Sequence, residues 1–273
     1  MNDYIASEWQ RIFAFNGLRS FDDFWKLEAT WFEEPNRRRG GWSGVARCEL
    51  KLPEGGSKRV FLKRQENHTT RTLAHPIRGL PTFAREFQNI LRYRERGIPS
   101  LTLLYFARRD EGGNQRAVLL TEELVGFCSL EELAGEWKTM ARETRHAIIR
   151  TVAKLLRQIH AKRLTHNCFY PKHVFLRALA ADRFEARIID LEKTKARLFG
   201  LDSHFRDMRR LNGAHFPWSR ADRVLFFKEY LGIKTLTPAA KQKWRRIARR
   251  HFAKHPADAA IFAKTLEPIK TAA

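Results

Sequence analysis

The chain has 273 residues, 43% of them apolar, and carries 52 Lys and Arg against 30 Asp and Glu, a net charge of +22. This excludes a globally disordered chain and leaves room for one domain of two lobes or for two domains. The positive surplus attracts phosphate-bearing partners (nucleic acid, anionic lipid headgroups or phosphorylated sugars) without choosing among them. Cys48, Cys128 and Cys168 are far apart and odd in number, so no disulfide framework or cysteine metal cluster follows, and a reducing compartment is expected. No basic patch followed by an apolar run opens the chain, and no window approaches the roughly 18 apolar residues of a membrane span. The expected location is cytoplasmic, either soluble or peripheral at the inner face of the cytoplasmic membrane.

Along the chain, residues 1–35 mix aromatics and acids (Phe21, Phe24, Trp25, Trp31, Phe32) and read as a short helical lead-in. Residues 37–45 (Arg37, Arg38, Arg39, Gly40, Gly41, Trp42, Ser43, Gly44, Val45) read as a basic, glycine-bearing turn. A strand over 45–52, a hairpin turn at 54–57 and a returning strand over 59–63 follow. The polar stretch 64–80 reads as a loop. Pro81 opens a helix in which Phe83, Phe87, Ile90 and Leu91 share a face, closed by Gly97 and Pro99. Strands over 101–107 and 116–121 come next, then a connector from Glu122 to Gly126. Ile148, Ile149, Val152, Leu155, Leu156 and Ile159 line one face of a helix over 143–162. Beyond residue 200 the chain reads as helical and strongly basic.

Strands first, one helix among them, then a helical half: this order predicts an α+β, bilobal architecture. Its expected parts are the lead-in 1–35, a β-rich N-lobe 36–124 with one main helix, and a larger, mostly helical C-lobe 125–273.

Two segments carry the chemistry. The first runs from His166 to Leu176 (His-Asn-Cys-Phe-Tyr-Pro-Lys-His-Val-Phe-Leu); the second is Ile188-Ile189-Asp190-Leu191-Glu192. They have the layout of a kinase catalytic loop, H-R-D-x-x-x-x-N, and of the strand end whose Asp holds magnesium. His166 matches the loop histidine, Cys168 stands at the base position and His173 at the metal-side Asn position, while Asp190 keeps the metal role. Lys63 ends a strand, as a phosphate-contacting lysine does, and Glu86 sits one turn into the next helix as its ion-pair partner.

With these motifs, and with Arg39-Gly40-Gly41-Trp42-Ser43 as a reduced glycine loop, the chain resembles the lipopolysaccharide kinase family, the Kdo and heptose core kinases of protein-kinase-like fold. The resemblance favours histidine at position 173. It implies ATP and Mg2+ as cofactors, with Gly40, Gly41, Ser43, Lys63, Glu86 and Glu122 on the nucleotide and Asp190 and His173 on the metal. Cys168, Asp190, Lys63 and His166 would form the catalytic set. His160 and His166 also fit packed, hydrogen-bonded roles, and Asp207 resembles the acidic residue that anchors the loop from below. The implied acceptor is a Kdo or heptose hydroxyl of the lipopolysaccharide inner core, or another anionic sugar. No specific nucleic acid and no obligate protein partner are expected.

Cys168 stands where the better-known core kinases have Asp, which leaves three mechanisms open. The first is transfer with weak or no base help, the second a thiolate base, and the third a silent nucleotide-binding pseudokinase. A kinase acting on another small molecule or on a protein is the nearer alternative. A nucleic-acid-binding protein is the more distant one, drawn from the charge, seven Trp and twenty Phe. The runs 37–39, 241–246 and 249–251 are candidate docking patches that also fit solvated helix faces.

Overall fold

The computed structural model describes residues 3–38, 40–72, 75–196, 204–211 and 216–253. Arg39 and the side chains of Arg250 and His251, named above in basic patches, lie outside the described residues. The chain divides into two units, one from its start to Val125 together with Asp190–Lys193, the other from Gly126–Ile189 and from Thr194 onward.

In the first unit the chain order is β1 (Tyr4–Ile5), α1 (Gln10–Phe15), α2 (Phe21–Lys26), β2 (Thr30–Trp31), β3 (Asn36–Arg38), β4 (Gly41–Lys51) and β5 (Ser57–Glu66). It continues with β6 (Thr69–Thr72), β7 (His75–Pro81), α3 (Thr82–Glu95), β8 (Leu103–Glu111) and β9 (Asn114–Glu122). Among the described residues all of these strands except β6 and β7, which pair with each other, build an antiparallel sheet in the order β1-β8-β9-β5-β4-β2, with β3 also on β4. Side chains alternate across a strand, so β5 can bury two different faces at once. Val60 and Leu62 join a core with Trp9, Phe13, Phe21, Phe24, Leu104 and Leu120. Lys63, next in line, turns to the opposite face, where α3 lies, as its contact with Glu86 shows. There Phe87 of α3 stacks on Phe106 of β8 at 4.2 Å.

Three expectations change. Residues 1–35 are more than a lead-in: α1 and α2 supply a layer of the sheet's core, with Phe24 stacked on Tyr105 at 3.7 Å. The polar stretch 64–80 contains the end of β5 and the β6–β7 hairpin, because its Thr and Arg residues suit an exposed two-stranded ribbon as well as a loop. The basic turn is shorter than expected, since β4 already begins at Gly41.

The second unit opens with β10 (Cys128–Ser129) and α4 (Arg142–Ala161). Then come β11 (Leu164–Thr165), β12 (Val174–Ala180), β13 (Arg183–Ile188), β14 (Lys195–Ala196), α5 (His204–Leu211), α6 (Arg220–Leu231) and α7 (Pro238–Phe252). The apolar face of α4 is buried as its spacing requires. A Ser219–Asp222 capping box starts α6, and Gly232 in the left-handed region ends it. Trp137, Trp218 and Trp244 are buried, as is Trp9 of the first unit, so packing accounts for these rings. Along α7, Ala240, Trp244, Ile247 and Ala248 face inward while Lys241, Lys243, Arg245, Arg246 and Arg249 are exposed. Among the described residues no helix is long and apolar enough to cross a membrane.

Truncating Phe24 to Ala should empty a site between α2 and the sheet without touching the Lys63 face. It is expected to cost about 3–5 kcal/mol in urea unfolding. A cost near zero would return residues 1–35 to the status of a dispensable lead-in.

Candidate active site

Lys63 lies in mid-sheet, opposite Val45 on β4 and Leu119 on β9. Its Nζ is 2.7 Å from Glu86 Oε1, with side-chain exposures of 15% and 3%. The pair is held in place by Gln65, two residues along β5 on the same face. Pro81 precedes α3 with no side-chain cap. Buried Gln65 substitutes for it, its Oε1 accepting from Phe83 N at 2.8 Å and Thr82 Oγ1 at 2.9 Å. The strand that carries Lys63 therefore also pins the helix that carries Glu86.

One turn beyond Glu86, buried Asn89 donates to the Leu191 carbonyl at 2.7 Å. This ties Asp190–Lys193 to α3, although that segment follows β13 of the other unit. Asp190 adopts φ 60°, a left-handed conformation that Asp tolerates better than most residues. Burial pushes the Glu86 carboxyl up, the Lys63 ammonium opposes this, and the Asp190 and Glu192 carboxylates push it up again; the net direction is upward. The Glu86, Asp190 and Glu192 carboxylates thus share a field with the Lys63 ammonium, and Glu192 also pairs with Lys193 at 3.5 Å. That donor set fits a hard divalent cation, which prefers carboxylate oxygen. Among the described residues no group of three or more His, Cys, Asp and Glu could hold a metal ion. A cation here would need phosphate or water oxygens as well, the usual way a magnesium-nucleotide is held.

Gly40, at φ 79°, makes the tight turn between β3 and β4. A Cβ on Gly41 would overlap the Glu66 carbonyl oxygen, so this glycine is required by the close approach of β5. Both line an open cavity of about 390 Å³ with Arg37, Arg38, Trp42, Glu66 and Asn67. Ser43 lies on β4 opposite Gln65, and Glu122 ends β9 with its carboxylate 3.3 Å from Lys58 Nζ. Neither Ser43, Glu122 nor Lys63 lines that cavity.

In the second unit the loop from Thr165 to Val174 is organised by Asp207 of α5, which is 0% exposed. Its Oδ2 accepts from the backbone N–H of His166 at 2.8 Å and contacts His160 Nε2 at 3.1 Å. Its Oδ1 accepts from the N–H of Asn167 at 2.7 Å. Burial opposes the charge on Asp207, but the His160 hydrogen bond, the two imidazoles and the His166 N–H outweigh it and hold the carboxyl below its ordinary range.

His166 Nε2 bonds to the Ile189 carbonyl at 2.9 Å, and Nδ1 accepts from the Cys168 N–H at 3.2 Å. Both nitrogens of His166 are thus committed to main-chain groups of the loop and of the strand end. His173 Nδ1 donates to the Cys168 carbonyl at 2.8 Å. Metal-ligating histidines use this kind of outer hydrogen bond. Cys168 is 2% exposed, and Arg210 Nη1 lies 3.6 Å from its sulfur.

Sequence reasoning missed Gln65, Asn89, Arg206 and Arg210. The first two act through backbone groups distant in sequence, which no spacing rule reveals. The two arginines stand one residue before and three after Asp207, so α5 periodicity could have placed them on the loop.

Because the folded-state pKa of Asp207 is lowered, its contribution is complete above the ordinary carboxyl value of 3.8 and is lost as pH falls through the folded value. Asp207→Asn should remove this acid-side slope and cost about 3–5 kcal/mol near neutrality. Urea unfolding of both proteins from pH 3 to 7 checks it. Parallel curves with no stability gap would show that the loop does not depend on this carboxylate.

With the geometry established, comparison with known proteins places the chain. The model of the lipopolysaccharide kinase (Kdo/WaaP) family matches residues 22–230. Protein InaA of Escherichia coli strain K12 is 29% identical over 204 residues, spanning 74% of this chain and 91% of InaA. The lipopolysaccharide core heptose(I) kinase WaaP of Escherichia coli is 25% identical over 194 residues, 66% of this chain and 68% of WaaP. A solved structure of WaaP in complex with acyl carrier protein matches with TM-score 0.65 at 20% identity, over 97% of this chain and 99% of that one. The fold is therefore α+β and protein-kinase-like, and this chain belongs to the lipopolysaccharide kinase (Kdo/WaaP) family.

Proposed function

We propose that this protein is an ATP-dependent kinase that phosphorylates a sugar hydroxyl, of Kdo or heptose, in the lipopolysaccharide inner core. The observation that carries the reading is the buried Lys63–Glu86 pair at 2.7 Å with Asp190 and Glu192 in its field. Such a pair, costly to bury, suits a lysine that must present its ammonium to phosphate oxygens at one fixed position. Asp190, with His173 as a second candidate, would hold Mg2+, and the Gly40–Gly41 turn would approach the nucleotide. Bound Mg2+ supplies neutralisation of phosphate charge during transfer. The acceptor class comes from the family and from WaaP's name as a heptose(I) kinase. The exposed basic face of α7 suits an enzyme working beside the anionic leaflet that carries such an acceptor.

Cys168 supplies no carboxylate base. A positioned base contributes about 10²–10⁴-fold, whereas phosphoryl transfer rests mainly on alignment and charge neutralisation. The reading is therefore a slower kinase in which Asp207 and His166 fix the loop and Lys63 and Asp190 carry the phosphate chemistry. A second reading, nucleotide binding without transfer, is favoured by one observation: the Cys168 sulfur is buried against Arg210.

Thermal unfolding with and without Mg-ATP tests the nucleotide site. At one hundred times Kd the wild type should gain about 2.7 kcal/mol, and Asp190→Ala should lose that gain. No gain in either protein at saturating ATP would reject the kinase reading. Cys168→Ser should leave turnover within about threefold of wild type if no thiolate base operates, whereas a loss approaching 10²-fold would identify the thiolate as the base.

A further inference from the structure

Helix α5 carries three arginines at three- and four-residue spacing, Arg206, Arg209 and Arg210, of which Arg206 and Arg210 contact the loop and Arg209 lies within the field of both and of Tyr170. Arg206 Nη1 donates to Asn167 Oδ1 at 3.3 Å, and Arg210 Nη1 to the Cys168 sulfur at 3.6 Å. The Arg210 guanidinium also lies over the Tyr170 ring, 4.9 Å from its centroid. These anchors, an amide oxygen, a thiol and an aromatic face, are all neutral. Asp207, the acid on the same helix, has both oxygens engaged by His160 and the loop amides. Among the described residues no carboxylate pairs with any of the three arginines.

Like charges at helical spacing repel, and the partly buried Arg209 registers this: burial, then Arg210 and Arg206, lower its proton affinity. Elsewhere Arg47 and Arg59 meet Glu123, while packed Arg64 meets the Trp25 and Leu27 carbonyls; what sets α5 apart is three guanidiniums gathered on one short helix. Among the described residues no acid pairs with the α5 cluster beside Cys168, where the loop would receive the acceptor. A guanidinium held over a ring, as Arg210 is over Tyr170, is partly pre-organised for a phosphate or carboxylate, and neighbouring guanidiniums add donors for one multidentate oxyanion.

We propose that Arg206, Arg209 and Arg210, with Tyr170, form an anion subsite that binds a phosphate or carboxylate already present on the acceptor sugar. The subsite lies entirely in the second unit. The proposal rests on the reading of this loop as the acceptor side, and it adds that the acceptor is selected for an existing anionic group. A neutral sugar would leave the three guanidiniums uncompensated and be bound poorly.

The test is calorimetric titration of the full chain with mannose 6-phosphate, with mannose and, separately, with Mg-ATP. The proteins are wild type, Arg206→Gln/Arg209→Gln and Arg206→Lys/Arg209→Lys. Wild type should bind the sugar phosphate at least about tenfold more tightly than mannose, and the Gln pair should lose that preference. The Lys pair should fall between them, and Mg-ATP affinity should stay within about twofold throughout. Equal sugar-phosphate affinity in wild type and the Gln pair overturns the subsite. So does a parallel loss of Mg-ATP binding, which would assign the cluster to the nucleotide. Should the Gln pair not fold, the Lys pair decides by the same comparison. Sugar-phosphate binding without any Mg-ATP binding would reject the kinase reading and leave the subsite standing.

Discussion

One buried carboxylate organises the loop at the centre of the second unit. The segment from His166 to His173 contains little regular structure, and Asn167 within it adopts φ 63°. A chain in that state must satisfy its amides locally or expose them, and Asp207 takes two successive N–H groups together with the His160 ring. Fixing these amides sets His166, which sets the Cys168 N–H, and His173 then closes on the Cys168 carbonyl. Every group proposed to meet the acceptor is thereby placed by α5, on which the three arginines also stand.

In the first unit the corresponding constraint is a strand that serves two cores. Val60 and Leu62 had to face α1 and α2, so Lys63 and Gln65 had to face α3. Period-two alternation thus fixed both the lysine that pairs with Glu86 and the residue that caps the helix bearing that partner. Asn89 extends the same logic to the Asp190–Lys193 segment, holding it to the helix that carries Glu86.

Much of this was legible because it follows local rules. Lys63 on a strand, Glu86 on an apolar helix face and Asp190 after an apolar run are all readable from periodicity, and they meet in one cluster, although the strand runs on past Lys63 to Glu66. What escaped was whatever depends on backbone acceptors or on a polar strand. Residues 64–80 looked like a loop because Thr and Arg serve exposed ribbons and loops equally. Gly41 looked like a phosphate-approach glycine, while the sheet alone already demands it through the Glu66 carbonyl. The charge of +22 was informative only in aggregate. On α7 it is a solvated face, whereas on α5 it is concentrated against the loop, and only geometry separates the two.

Cys168 makes the chemistry, rather than the fold, the point on which the account stands. The most direct measurement follows label from γ-labelled ATP into a deacylated lipopolysaccharide core oligosaccharide, with wild type and Asp190→Ala compared under single-turnover conditions. The account predicts label covalently on the oligosaccharide, formed faster than ATP is hydrolysed and absent with Asp190→Ala. Nucleotide bound in the wild type with no label transferred to any sugar of the core would contradict it and establish a nucleotide-binding protein without transferase activity.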